Sequence, residues 1–100
     1  MNRKLASVIC VIFDHAYDVI DTEGLMDDDG VYRGEGPLPL GHVLIRVCTD
    51  HDALKYLRQT WDVLVDACGG NVYQWQKRHN TEYACLSLLE NIADKYRRLT

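Results

Sequence analysis

The segment from Leu40 to Cys68 carries a long apolar stripe, which constrains the fold more than any other part of the chain. Apolar residues recur here every three or four positions, the spacing that places them along one side of a helix. Only Asp50 interrupts the stripe, and the pair Gly69-Gly70 follows it, where glycine commonly ends a helix. The stripe consists of Leu40, Val43, Val47, Leu54, Leu57, Trp61, Leu64 and Cys68. It predicts a helix over 40–68 that packs against other helices.

The sequence leaves open whether this helix is continuous. Thr49 with Asp52 three residues later resembles the side-chain pair found at a helix N-terminus. A restart at that point would leave residues 42–48 as a separate short helix or strand.

The segments on either side of the stripe are also predicted to be helical. Residues 3–22 repeat apolar side chains at helical spacing for about four turns. Their β-branched run from Ala6 to Phe13 makes a strand the rival interpretation. Residues 71–98 begin with Asn71 and Gln74, a capping pair, and Asn80-Thr81 marks a point where this helix can break.

Residues 23–39 are predicted to form a long loop between the first two helices. The loop is rich in glycine, and the triplet Asp27-Asp28-Asp29 followed by Gly30 is a strong turn signal. Connections of this length are uncommon in small domains and tend to be functional or mobile. The predicted fold is therefore all-α: one domain over 1–100, an antiparallel bundle of three or four helices with a long acidic loop containing Gly and Pro.

Composition narrows the class of protein further. The net charge of −4 is mild, but residues 1–50 hold nine acids and four bases, whereas residues 51–100 hold six acids and seven bases. This balance excludes a strongly basic nucleic-acid binder and a polyanion. The apolar run after Arg3-Lys4 is too short for a membrane span and has no cleavage site after it. We therefore predict a soluble cytoplasmic protein that does not bind membranes.

Motifs for metals and for common catalytic sites are missing from the sequence. The four cysteines form no closely spaced pair, and Cys48 with His51 is the nearest approach to a zinc-ligand pair. Aligning Gly30 with the invariant glycine of a calcium loop puts Leu25 and Gly36 at ligand positions, where neither can serve. We therefore predict no metal and no cofactor, with cysteines that are buried and reduced.

The acidic residues of the first half of the chain are the strongest candidates for a binding surface. They are concentrated on one side of the first predicted helix and in the loop that follows. They comprise Asp14, Asp18, Asp21, Glu23, Asp27, Asp28, Asp29 and Glu35. Such a surface can attract a basic protein or take the place of nucleic-acid phosphates. It predicts a protein partner with a basic surface and no direct contact with nucleic acid.

Two short segments resemble known families. The run from Phe13 to Asp18 is similar to a segment near the start of phage anti-restriction proteins that mimic DNA. This resemblance implies a helical inhibitor of a host enzyme that handles nucleic acid. Arg46 and His51 fit the R-x4-H spacing of HEPN ribonucleases, whose Arg and His act together at a dimer cleft. That second resemblance implies catalytic roles for Arg46 and His51.

The sequence as a whole predicts a non-enzymatic interaction protein, in its most specific form a phage or mobile-element inhibitor of a host defence complex. One alternative is a HEPN-like ribonuclease. Another is a homodimeric bundle, because the apolar faces of two copies could pair.

Overall fold

The structure is a computed structural model that describes residues 2–100, and this part of the chain has an all-α fold. Its five helices are α1 (Arg3–Glu23), α2 (Leu40–Asp50), α3 (Leu57–Ala67), α4 (Val72–Arg78) and α5 (Glu82–Arg97). A short 3-10 turn, Leu54–Tyr56, precedes α3. In residues 2–100 the β pairing is limited to one isolated bridge, between Leu25 and Leu38. The all-α prediction is confirmed, with five α-helices instead of three or four.

Helix α1 includes the whole β-branched run that made a strand the rival interpretation. Asn2 caps it, accepting hydrogen bonds from the backbone N–H groups of Lys4 at 2.7 Å and Leu5 at 3.2 Å. Gly24 ends it with φ of 89°, and its N–H donates to the Ile20 carbonyl at 2.9 Å. The helical interpretation is therefore correct, because the apolar residues of α1 pack along one buried face.

The prediction of one continuous helix over 40–68 is wrong, and the restart near Thr49 describes the structure better. Asp52 adopts the left-handed conformation with φ of 53°, and the Ala53 N–H reaches back to the Cys48 carbonyl at 2.7 Å. The Thr49 hydroxyl donates to the Ile45 carbonyl at 2.7 Å, a local bond that competes with helix geometry. The chain changes direction here, so α2 and α3 are separate helices.

The predicted helix over 71–98 is also two helices. Asn71 caps α4 by accepting a hydrogen bond from the Gln74 N–H at 2.9 Å, as the sequence indicated. Thr81 caps α5 by accepting from the Ala84 N–H at 3.1 Å. The break therefore occurs at the pair of good capping residues, where helix propensity is low.

Helix α5 lies along α1, which is its main neighbour. Arg97, near the end of α5, contacts Asp14 in the middle of α1. Glu82, at the start of α5, approaches Gly24 just beyond the end of α1. The two helices therefore run in opposite directions, and their apolar faces form one side of a single core.

Residues 24–39 connect α1 to α2 and are held to the body of the molecule at several points. Their ends meet at the Leu25–Leu38 bridge, and Leu38 is fully buried. The buried Gln76 of α4 donates to the Met26 carbonyl at 2.8 Å and accepts from the Leu40 N–H at 2.9 Å. One side chain thus holds both the connecting segment and the start of α2.

Within residues 2–100, each helix is too short or too polar to cross a bilayer.

Candidate functional site

The acidic residues of the connecting segment are engaged within the molecule. Asp27 accepts a hydrogen bond from the side chain of Asn80. Asp28 accepts from the Gly30 N–H at 2.9 Å, and its carboxylate lies 3.9 Å from Nε2 of His42. The Asp29 carboxylate accepts two hydrogen bonds from Arg33 and one from the Val31 N–H. These bonds lower its pKa to about 2, the Arg33 hydrogen bond contributing most.

Two of the acidic residues of α1 also have arginine partners. Both oxygens of Asp14 accept from Nη2 of Arg97, at 3.0 and 2.9 Å. Glu23 accepts from Nη1 of Arg46 at 2.7 Å, and this hydrogen bond is the main cause of the raised Arg46 pKa. Their charges are therefore partly compensated within the chain.

Three predicted binding residues are exposed and have neither an ion pair nor a side-chain hydrogen bond within the described residues. Within residues 2–100, Asp18, Asp21 and Glu35 make no ion pair. Asp18 and Asp21 lie on the same side of α1 as Asp14, within about 60° around the helix axis at 100° per residue. Glu35 lies apart from them in the connecting segment. The structure thus reduces the unpaired acidic surface of α1 to one pair of residues.

Helix α1 has an acidic groove on each side. The groove towards α2 is lined by Asp18, Glu23 and Asp50, and Arg46 bonds two of these carboxylates. The rings of His15 and His51 stack in this groove, with centroids 4.1 Å apart.

On the other side of α1, the groove towards α5 is lined by Asp14, Glu90 and Asp94. Arg97 of α5 also lines this groove and pairs with Asp14 of α1. Each groove is therefore lined by three carboxylates, two of which pair with one arginine, Arg46 or Arg97. Asp50, Glu90 and Asp94 were not among the predicted binding residues, because they belong to other helices than α1. The spacing of Glu90 and Asp94, one helical turn apart, could have indicated a second acidic surface on the last helix.

Of the two residues of the R-x4-H pattern, His51 lines the groove between α1 and α2, and Arg46 bonds to Glu23 and Asp50, two carboxylates of that groove. Nε of Arg46 lies 3.3 Å from a carboxylate oxygen of Asp50, in addition to its bond to Glu23. A guanidinium held by two carboxylates is less available to a phosphate than a free one, and the surrounding negative charge opposes phosphate approach. His51 is stacked on His15.

The segment that resembles phage DNA mimics contributes little to the surface. Phe13 and Ala16 are fully buried in the core, and Asp14 is paired with Arg97. Asp18 is the exposed acidic residue of this segment.

The cysteines are buried free thiols, located on four different parts of the chain: Cys10, Cys48, Cys68 and Cys85. Burial away from water raises the pKa of Cys68 and of Cys85 to about 11. Within residues 2–100, no group of three or more His, Cys, Asp or Glu side chains is arranged to hold a metal ion.

A different surface lies between α2, the 3-10 turn and α3. It is an open groove of about 690 Å³ with mainly apolar walls. Leu54 remains 54% exposed and Trp61 37% exposed, although both belong to the stripe that was predicted to be a single packed face. The groove is lined by Ile45, Leu54, Leu57, Arg58, Trp61 and Asp62.

Comparison of the chain with protein-family models, with curated proteins and with solved structures finds no match.

Proposed function

We propose that this protein is a non-enzymatic binding protein that engages a basic protein partner through the acidic surface of α1. The observation that carries the proposal is the excess of carboxylates over arginines in the grooves on both sides of this helix. Asp18, in the groove towards α2, has no ion-pair partner within residues 2–100, and Asp21, outside both grooves, adds a further unpaired charge. A surface of this kind favours arginine- and lysine-rich partners and speeds their association.

In this proposal, the side chains of the partner bind carboxylates at positions where they would otherwise bind phosphate. Arginine is well suited to this exchange, because its planar guanidinium binds a carboxylate and a phosphate in the same two-pronged way. The most specific form of the proposal is an inhibitor from a phage or other mobile element that occupies a host nucleic-acid-handling complex. This form depends on the short resemblance to phage DNA mimics.

The experiment compares variants in which Asp is replaced by uncharged Asn on two different surfaces. The double variant Asp18→Asn/Asp21→Asn removes the unpaired charges of α1, whereas Asp52→Asn/Asp66→Asn removes two exposed charges elsewhere and changes the net charge equally. Asp27–Asp29 are unsuitable targets because they hold the connecting segment in place. Each tagged protein is used to capture partners from a bacterial lysate, and bound proteins are quantified by mass spectrometry at low and high salt.

We expect a basic partner that is retained by the wild-type protein and by the control and is released by salt. The α1 variant should bind this partner about 2- to 30-fold more weakly, since exposed ion pairs contribute about 0.2–1 kcal/mol each. Equal loss in both double variants would contradict a role for this surface. Cleavage of single-stranded RNA by the wild-type protein, lost in Arg46→Ala and in His51→Ala, would instead support the ribonuclease alternative.

A further inference from the structure

The apolar groove between α2 and α3 is a second, separate surface. The connecting segment 24–39 cannot cover it, because Gln76 and the Leu25–Leu38 bridge hold that segment against other parts of the molecule. Leu54 is more than half exposed, and the indole of Trp61 lies between core and solvent. Isolated exposed apolar residues are ordinary, but several that share one groove indicate a contact surface.

The charges at the rim of this groove have a specific arrangement. Arg58 and Asp62 lie one turn apart on α3, their side chains are 89% and 69% exposed, and 4.0 Å separates their nearest charged atoms. An intrahelical pair this exposed is held weakly, so both groups remain available to another molecule. The rim thus presents one positive and one negative charge, side by side along the helix axis.

We propose that a second copy of this chain fills the groove, with the two α3 helices antiparallel across a two-fold axis. A two-fold axis perpendicular to α3, between Arg58 and Asp62, places each arginine opposite Asp62 of the other copy. A parallel arrangement would place Arg58 against Arg58 and Asp62 against Asp62, which is repulsive. The charge pattern therefore complements itself in the antiparallel orientation, as an isologous interface requires.

The apolar residues fit the same arrangement. Leu57 and Trp61 line the same groove as the charged pair, and an axis midway between Arg58 and Asp62 brings Leu57 of one copy close to Trp61 of the other. Leu54 and Ile45 extend this contact at both ends of the interface. Tryptophan and arginine at the centre of a small patch are typical of residues that dominate binding.

The size of the surface predicts a weak dimer. Helix α3 has 11 residues and is therefore about 16 Å long, so two such helices and their flanking residues form a contact at the small end of specific interfaces. We expect a dissociation constant in the micromolar range, with monomers present in dilute solution. This inference does not depend on the proposed function, because the acidic surface of α1 uses different residues.

The test measures molecular mass across a concentration series by sedimentation equilibrium. Leu54→Ser should weaken dimerisation about tenfold or more, since it removes an exposed apolar contact from the groove. Leu99→Ser is the matched control: Leu99 is 46% exposed at the end of the chain, against 54% for Leu54. Trp61 is a poorer target because its ring also packs inside the molecule, against Gly41. A Cβ added at Gly41 would lie 3.0 Å from the ring atoms of Trp61.

Charge exchange then tests the antiparallel orientation. Arg58→Glu alone and Asp62→Arg alone each place like charges across the axis and should weaken the dimer several-fold. In the double variant Arg58→Glu/Asp62→Arg, opposite charges again face each other across the axis. This variant should therefore recover the dimer affinity of the wild-type protein. If the groove instead bound a different protein, exchanging the two charges of this chain would not restore binding.

A wild-type protein that stays monomeric up to submillimolar concentration would overturn the proposal. A dimer that is equally affected by Leu54→Ser and Leu99→Ser would overturn it as well. Failure of the double charge exchange to restore the dimer would exclude the antiparallel α3 interface.

Discussion

Replacement of Gln76 should destabilise the fold, because this buried polar side chain holds two segments of the chain. Gln76 is 3% exposed, its side chain accepts a hydrogen bond from the Leu40 N–H, and its amide donates to the Met26 carbonyl and to the Asn80 side chain. Leu40 begins α2, whose N-cap, Pro39, provides no side-chain cap. Gln76 therefore caps α2 from another helix, 36 residues away along the chain.

The expected effect of Gln76→Met follows from the groups that it leaves unpaired. Methionine fills a similar volume but makes none of these hydrogen bonds, so the buried Leu40 N–H loses its partner, and the Met26 carbonyl and the exposed Asn80 side chain must bind water instead. At about 1–3 kcal/mol for a fully buried unpaired group and less for a partly solvated one, the free energy of unfolding should fall by about 2–4 kcal/mol. For a domain of this size that corresponds to a Tm about 8–30 °C lower.

Urea unfolding followed by circular dichroism measures this change, with Gln74→Met as the control. Gln74 lies on the same helix, but it is exposed and only its backbone is held, by Asn71. Hydrogen exchange adds a local readout: the Leu40 amide, although in the first turn of α2, should be protected in the wild-type protein and exchange freely in Gln76→Met. If Gln76→Met and Gln74→Met differed by less than about 0.5 kcal/mol, the capping role would be refuted.

Two further predictions concern the backbone and the connecting segment. Asp52→Gly should raise the free energy of unfolding by up to about 1 kcal/mol, because glycine adopts the left-handed conformation without strain. The control Asp66→Gly, inside α3, should lower the free energy of unfolding by about 1 kcal/mol. Urea unfolding of both variants measures these changes. The Arg33–Asp29 contact should be complete above pH 3.8, the ordinary pKa of Asp29, and be lost as the pH falls through its folded value of about 2. NMR titration of the Val31 amide follows this loss, and an unchanged shift between pH 4 and pH 2 would contradict it.

The helices could be predicted where a local signal defines them. The caps Asn71 and Thr81 were visible in the sequence, as was the weak point at Thr49, because a cap depends on residues three or four positions away. The break between α2 and α3 was one of two open interpretations, since the apolar spacing continues through it. The left-handed Asp52 separates the stripe into two helices, which explains why Leu54 and Trp61 are exposed.

The site was harder to predict because its electrostatics depend on distant pairs. Asp14 is compensated by Arg97 and Glu23 by Arg46, contacts that span 83 and 23 residues and leave no local pattern. A count of acids in the first half of the chain therefore overstates the free negative charge of the surface. The bond between Gln76 and Met26 spans 50 residues and is equally invisible to local patterns.

The buried cysteines have a practical consequence for measuring this molecule. In residues 2–100 every native thiol is shielded, and burial raises the pKa of Cys68 and Cys85 so far that thiolate is scarce at neutral pH. A cysteine introduced at an exposed position such as Ser7 should therefore react with a maleimide dye well before the native thiols do. Fluorescent or spin labels can be attached to the folded wild-type background, and distances between two labelled chains can be read without first removing any natural residue.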